Sequence, residues 1–287
     1  MLKQGTRGKY EPLLVMALVG MSLGILLYPA AANWINARSQ AEQVTGWAQK
    51  VNSATPAGIT DLLAAAELYN SRLAAGLEGQ QDERDPAYLA QLRKPGTSVI
   101  SRVVIPSINI ALPVFHGTSN DVLEVGAGHL YGTSLPVGNH SVEFGTHAVI
   151  TAHSGIDTNS LFNDIHDLTY GDLFLIETAG RQLFYLVEQI SIVPEYTIKR
   201  FLAEPGQDLV TLLTCTPIGI NSHRLLVRGT RHIPKLVDAP EVVTFANFTA
   251  PGEQFPTVAL AWAGPTLLSG PIWHLVTKPK HTNLKAT

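Results

Sequence analysis

The chain has 287 residues and a formal net charge of −3, which leaves no basic footprint for nucleic acid. Hydrophobic residues make up 45% and charged residues only 15%, an apolar excess beyond that of an ordinary soluble globule. Cys215 is the single cysteine, so no internal disulfide forms, and its thiol is either packed and inert or kept free for chemistry.

From the N-terminus, Lys3, Arg7 and Lys9 form a basic stretch over 1–11, and an uncharged apolar run follows over 12–32. Its length suits a bilayer span. Two readings stand: a retained transmembrane anchor, or a signal segment removed at the small residues Ala30-Ala31-Ala32. Residues 33–95 read as an extracellular helical region. Ile59, Leu62, Ala66, Tyr69, Leu73 and Leu77 recur at three- and four-residue steps, with Thr60 or Asp61 as start signals. The polar stretch 80–87, broken by Pro86, reads as a surface loop.

From Gly96 the pattern changes to short runs rich in β-branched, leucine and aromatic residues, bounded by turn residues. They cover 99–105, 111–115, 147–153, 172–177, 182–192, 209–215 and 225–231. These runs predict a mainly β domain over 96–235, a barrel or a sandwich, with a short helix over 161–168. A linker over 236–254 leads to a second uncharged stretch, 255–276, and a basic tail over 277–287. Pro256, Pro265 and Pro271 disfavour a regular helix there, although membrane helices tolerate some proline. Basic residues at both ends predict cytoplasmic termini and an outside location for everything between them.

Cys215 closes the run 209–215, and His223 and Arg224 follow shortly after. If the strands on either side of this loop pair antiparallel, thiol and guanidinium share one rim of the sheet. A thiolate attacking an amide carbonyl creates an oxyanion, which a permanently charged arginine can stabilise. The departing amine needs an acid, most often histidine near neutral pH. His153 stands out among 10 histidines because it ends the run 147–153 and is followed at once by Ser154-Gly155. His223 is the second choice. His116, His129, His140, His147 and His166 show no metal-ligand spacing, so no metal site is expected.

The string Thr211-Leu212-Leu213-Thr214-Cys215-Thr216-Pro217, followed by Asn221-Ser222-His223-Arg224-Leu225-Leu226-Val227-Arg228-Gly229, resembles the nucleophile-and-arginine signature of sortases of the pilus-assembling class C type. Ile105-Pro106-Ser107-Ile108-Asn109-Ile110, Leu112-Pro113-Val114-Phe115-His116-Gly117-Thr118-Ser119, Gly126-Ala127-Gly128-His129-Leu130 and Thr151-Ala152-His153-Ser154-Gly155 stand in that family's order and spacing. The resemblance covers about 96–232. It implies an eight-stranded sortase β-barrel in which Cys215 is the nucleophile, His153 the acid and base, and Arg224 the oxyanion and substrate-orienting residue. No metal or organic cofactor is implied.

The resemblance further implies a lid loop over the active site, whose motif in the family is Asp-Pro followed by a large aromatic. Here Asp85-Pro86 is followed by Ala87, and Tyr88 stands one place further on, within a lid candidate at about 82–90. Thr214 and His116 complete the groove or lid candidates, and Ile218 stands where the family usually carries tyrosine. The implied activity is cleavage of an LPXTG-like sorting signal between Thr and Gly through a thioester, with transfer of the acyl group to a lysine of a pilin subunit. Pilins and the membrane of a Gram-positive-type bacterium are the implied partners, with the catalytic domain on the extracellular face. The alternatives are a housekeeping sortase that attaches proteins to cell-wall precursors, and a non-catalytic pilin-binding scaffold.

Overall fold

The structure, a computed structural model, describes residues 11–79, 81–138, 144–156, 159–195 and 201–234. The expected linker over 236–254, the second apolar stretch and the basic tail lie outside the described residues.

The first apolar run belongs to a longer element. Helix α1, Glu11–Asn52, continues well past the expected end at residue 32. Its first part carries exposed Leu18, Met21, Ile25 and Leu26 and is long and apolar enough to cross a membrane. Its last part is amphipathic: Gln40, Ala41, Val44, Trp47 and Val51 recur at helical spacing and are buried. Trp47 and Val51 pack with Val99 and Phe115.

Helix α2, Pro56–Ala74, starts earlier than Thr60 or Asp61. Thr55 is its cap, with Oγ1 accepting the Gly58 N–H at 3.1 Å, and Pro56 occupies the first turn, where its missing N–H costs nothing. Leu63, Ala66, Tyr69 and Asn70 form the buried face. Asn70 is the polar exception and has a reason to be inside. Its Nδ2 donates to the Leu135 carbonyl at 3.0 Å, and its Oδ1 accepts the Leu135 N–H at 2.7 Å. The side chain thus pairs a stretch of non-strand backbone whose buried Leu135 N–H would otherwise be unpaired.

After the short helix α3, Pro86–Leu89, eight strands close a barrel: β1 Val99–Ile105, β2 Ile110–His116, β3 Ala127–His129, β4 Thr146–Thr151, β5 Leu173–Thr178, β6 Arg181–Pro194, β7 Asp208–Thr216 and β8 His223–His232. Their order is β1-β2-β3-β4-β7-β8-β6-β5, with β1 against β5 completing the closure. The β2–β3 and β4–β7 pairs are parallel and the remaining pairs antiparallel. Alternate residues such as Val103, Ile105, Val114, Ile150, Val210 and Val227 fill the interior.

The seven predicted runs each coincide with a strand whose ends are shifted by a residue or two at most. Strand β3 was not foreseen. Ala127-Gly128-His129 is short and built from residues of low strand propensity. Gly128 is needed there because a Cβ would stand 2.2 Å from the Gly117 carbonyl oxygen across the β2–β3 pair. The short helix expected over 161–168 is reduced to a 3-10 turn, Ile165–Asp167, while Leu161, Phe162, Ile165 and Leu168 serve as buried plugs.

Replacing Asn70 with Ala removes both bonds and leaves the Leu135 N–H unpaired inside the protein, while the Leu135 carbonyl keeps the Val137 N–H at 2.9 Å. Guanidinium unfolding of Asn70→Ala is expected to show a loss of about 2 kcal/mol or more, and an unchanged midpoint would remove Asn70 from this role.

Candidate active site

The site is assembled by strand β7. On one side β7 runs parallel to β4 with Thr151 opposite Leu213. On the other it runs antiparallel to β8 with Cys215 directly opposite Arg224. Cys215 and Arg224 therefore share one rim of the barrel, as the antiparallel pairing read from the sequence requires.

Beyond Thr151 the ladder is continued by one backbone bond and then by side chains. The Ala152 N–H donates to the Leu213 carbonyl at 3.3 Å, Thr214 Oγ1 donates to the Ala152 carbonyl at 2.8 Å, and Ser154 Oγ donates to the Cys215 carbonyl at 2.7 Å. These contacts flank His153 and fasten its backbone beside that of Cys215. The next segment is closed on itself. The Phe162 N–H donates to the His153 carbonyl at 3.0 Å, and Asn163 Oδ1 accepts the Gly155 N–H at 2.7 Å. Gly155 has φ +80°, and a Cβ there would come within 2.8 Å of Ile218 Cγ2, so glycine permits this segment to approach the 217–222 loop.

Arg224 is held at the opposite flank. Nη1 donates to the Asn221 carbonyl at 2.9 Å and to the His223 carbonyl at 3.1 Å, while Nη2 pairs with Glu195. Asn221 sits at φ +57°, a left-handed conformation that asparagine tolerates and that turns its carbonyl inward to the guanidinium. Cys215, His153 and Arg224 are each half-buried. Exposed Ile218 and Ile220 give the loop that follows Cys215 an apolar surface. His223, the second-choice acid, pairs with Thr216 rather than Cys215, and strand alternation turns it to the other face. Its Nδ1 lies 2.9 Å from Ser222 Oγ.

Asp85, Pro86, Tyr88 and His116, considered as lid or groove residues, meet in a second cluster. The segment expected as a loop over 82–90 contains a capped helical turn: Asp85 Oδ1 accepts the Ala87 N–H at 2.9 Å, and Oδ2 accepts from the Tyr131 hydroxyl at 3.1 Å. Tyr88 is fully buried. Its ring meets those of His116 at 4.6 Å and Tyr131 at 5.1 Å, both edge-on. Its hydroxyl accepts the Gly117 N–H at 3.0 Å and lies 2.9 Å from His129 Nδ1. His129 Nε2 faces the Ser134 carbonyl at 2.8 Å, so Nε2 carries the proton, and the Tyr88 hydroxyl hydrogen is shared between Nδ1 and the His129 carbonyl, which lies at 3.0 Å. The aromatic read as a cover for the thiol is thus committed to strands β2 and β3, where it anchors the helical region. Thr214, likewise read as a groove residue, is buried and spent on the Ala152 carbonyl.

A sortase-domain model matches residues 103–232. The solved sortase C of Clostridium perfringens with its C-terminal cell wall sorting motif is 39% identical, with 68% of this chain and 100% of that one covered and a TM-score of 0.59. This chain belongs to the sortase family. The sortase C of Streptococcus pneumoniae aligns at 37% identity over 68% of this chain and 97% of its own, with a TM-score of 0.60. Among curated relatives, sortase A of Bacillus anthracis is 28% identical over 149 residues, 52% of this chain and 67% of the relative. Sortases are cysteine transpeptidases, and the structures this sortase resembles are mostly of class C. Among the described residues no group of three or more His, Cys, Asp or Glu side chains could hold a metal ion.

Sequence reasoning left three residues of this sortase rim without a task. Ser154 follows His153 directly, and that adjacency was the available signal. Asn163 and Glu195 reach the rim only through folding and carry no local pattern.

Burial pushes both His129 and His116 down to about 4 from the ordinary 6.5. The unfolded chain takes up these protons near pH 6.5 while the folded sortase refuses them until about pH 4, so the unfolded state binds more protons in that window. Stability is therefore expected to fall as pH drops from 6.5 to 4, with no further loss from these groups below it. Thermal melts across the window check this. His116→Leu should show a shallower fall, and a flat profile in the parent chain would contradict the assignment.

Proposed function

We propose that this sortase is a membrane-anchored, class C-type pilin polymerase. The observation that carries the reading is the cross-strand pair of Cys215 and Arg224 with the backbone of His153 fastened beside it. In the proposed cycle the Cys215 thiolate adds to the Thr carbonyl of an LPXTG-like sorting signal. Arg224, steered by the Asn221 and His223 carbonyls, offers N–H groups to the developing oxyanion. His153 gives its proton to the departing glycine amine, and a thioester remains on Cys215. The lysine amine of a second pilin attacks that thioester. It passes a proton to His153, and expulsion of the thiolate leaves an isopeptide bond.

The exposed Ile218 and Ile220, on the loop that follows the thiol, suit the leucine and proline of such a signal. The presence of a cell wall sorting motif in the Clostridium perfringens structure, and the concern of the Streptococcus pneumoniae structure with pilin substrate specificity, support the substrate class. The first part of α1 would hold the enzyme in the membrane, leaving the barrel outside.

Cys215→Ala should abolish both peptide cleavage and the thioester adduct seen by mass spectrometry. Arg224→Ala should lower kcat by about 100-fold or more, while Arg224→Lys keeps the charge but not the two-pronged geometry and recovers only part of the rate. Given a lysine-bearing pilin and a lipid-linked cell-wall amine in competition, the enzyme should favour the pilin. Preference for the cell-wall amine would identify a housekeeping sortase, and cleavage by Cys215→Ala would remove the nucleophile altogether.

A further inference from the structure

The polar part of α1 is bonded to the segment that carries His153. Asn33, the first residue after the apolar run, donates from Nδ2 to Ser160 Oγ at 2.8 Å, and its Oδ1 accepts the Ser160 N–H at 3.0 Å. Two helical turns on, and so on the same face, Gln40 Nε2 donates to Asn159 Oδ1 at 3.1 Å. Gln40 and Asn159 are 6% and 4% exposed. Asn159 Nδ2 in turn donates to the Glu124 carbonyl at 2.9 Å.

Adhesion alone does not need these groups. Elsewhere α1 packs through Val44, Trp47 and Val51, and burying an amide costs free energy unless it is hydrogen-bonded. What amide pairs add is direction: they set where the 159–160 backbone lies, which apolar contact does not. From there the fixed geometry runs inward. Asn163 accepts from Gly155, Phe162 donates to His153, and Ser154 donates to Cys215.

We infer that the polar part of α1 is a positioning element of the active site. Asn33 and Gln40 hold the 159–163 segment so that His153 stands in register with Cys215. The helix that leaves the apolar run thereby reaches the reaction centre through a continuous set of hydrogen bonds. This rests on the proposed roles of Cys215 and His153.

The test uses the full chain in detergent micelles and an LPXTG peptide, with kcat, KM, the pH–rate profile and the pH dependence of Cys215 alkylation as readouts. Gln40→Leu and Asn33→Ala are each expected to lower kcat about tenfold, as a small displacement of a catalytic group does. KM should barely change, and both pH profiles should be displaced. Asn33→Asp keeps an oxygen to accept the Ser160 N–H and should regain most of the rate.

A lowered melting temperature with parental kcat and pH profiles would make α1 a clasp only and overturn the inference. So would equal losses in Asn33→Ala and Asn33→Asp. If Gln40→Leu fails to fold, the Asn33 pair decides. Cys215→Ala is run alongside: activity there overturns the nucleophile assignment itself, whereas an inactive Cys215→Ala with parental Asn33 and Gln40 variants overturns only the positioning role.

Discussion

Strand β7 is the constraint on which the site depends. It is parallel to β4 on one side and antiparallel to β8 on the other, so residues from the following strand and from a much earlier part of the chain reach the same rim. An antiparallel neighbour brings its partner through a local loop, which is how Arg224 arrives opposite Cys215. A parallel neighbour brings the same end of a strand formed far earlier in the chain, which is how the His153 segment arrives. The barrel's closure through β1 and β5 leaves no free edge at which this register could slip.

Around the barrel, the helical region is joined by polar side chains that stand in for missing backbone ladder. Asn70 pairs with Leu135, Tyr88 with Gly117 and His129, and Gln40 with Asn159. Each joins a helix or helical turn to the barrel or to one of its loops. Apolar packing could supply comparable adhesion, but a buried donor tolerates only one geometry, because an unmade bond inside the protein costs more than a made one returns. The helices are consequently fixed in place rather than merely adherent.

Most of the barrel was legible in the sequence because its strands obey a period of 2 and are bounded by turn residues. Cys215 and Arg224 were legible for the same reason: they stand at the ends of two periodic runs joined by a short loop. Strand β3 was not, since Ala127-Gly128-His129 is selected for close approach to Gly117 rather than for strand propensity. The task of Tyr88 was hidden too. Its neighbours His116 and His129 are remote in sequence, so the Asp85-Pro86 start looked like an ordinary loop. The extension of α1 to Asn52 was masked by the apolar run before it, whose length suggested a complete element, although Gln40, Val44, Trp47 and Val51 already stood at helical spacing.

The partners of Arg224 divide by strength. The Asn221 and His223 carbonyls orient the guanidinium through short local bonds, and neutral acceptors leave its positive charge intact. Glu195 is an ion-pair partner with a side chain 63% exposed, against 15% for Arg224. A pair with one member so well solvated contributes little net stability. The fork is therefore held in direction by the loop, and its one carboxylate partner is well solvated rather than buried, so the guanidinium is preorganised without a buried counter-charge. The left-handed turn at Asn221 makes this possible, because it points a backbone carbonyl at Nη1 and spares the site a buried carboxylate in that position.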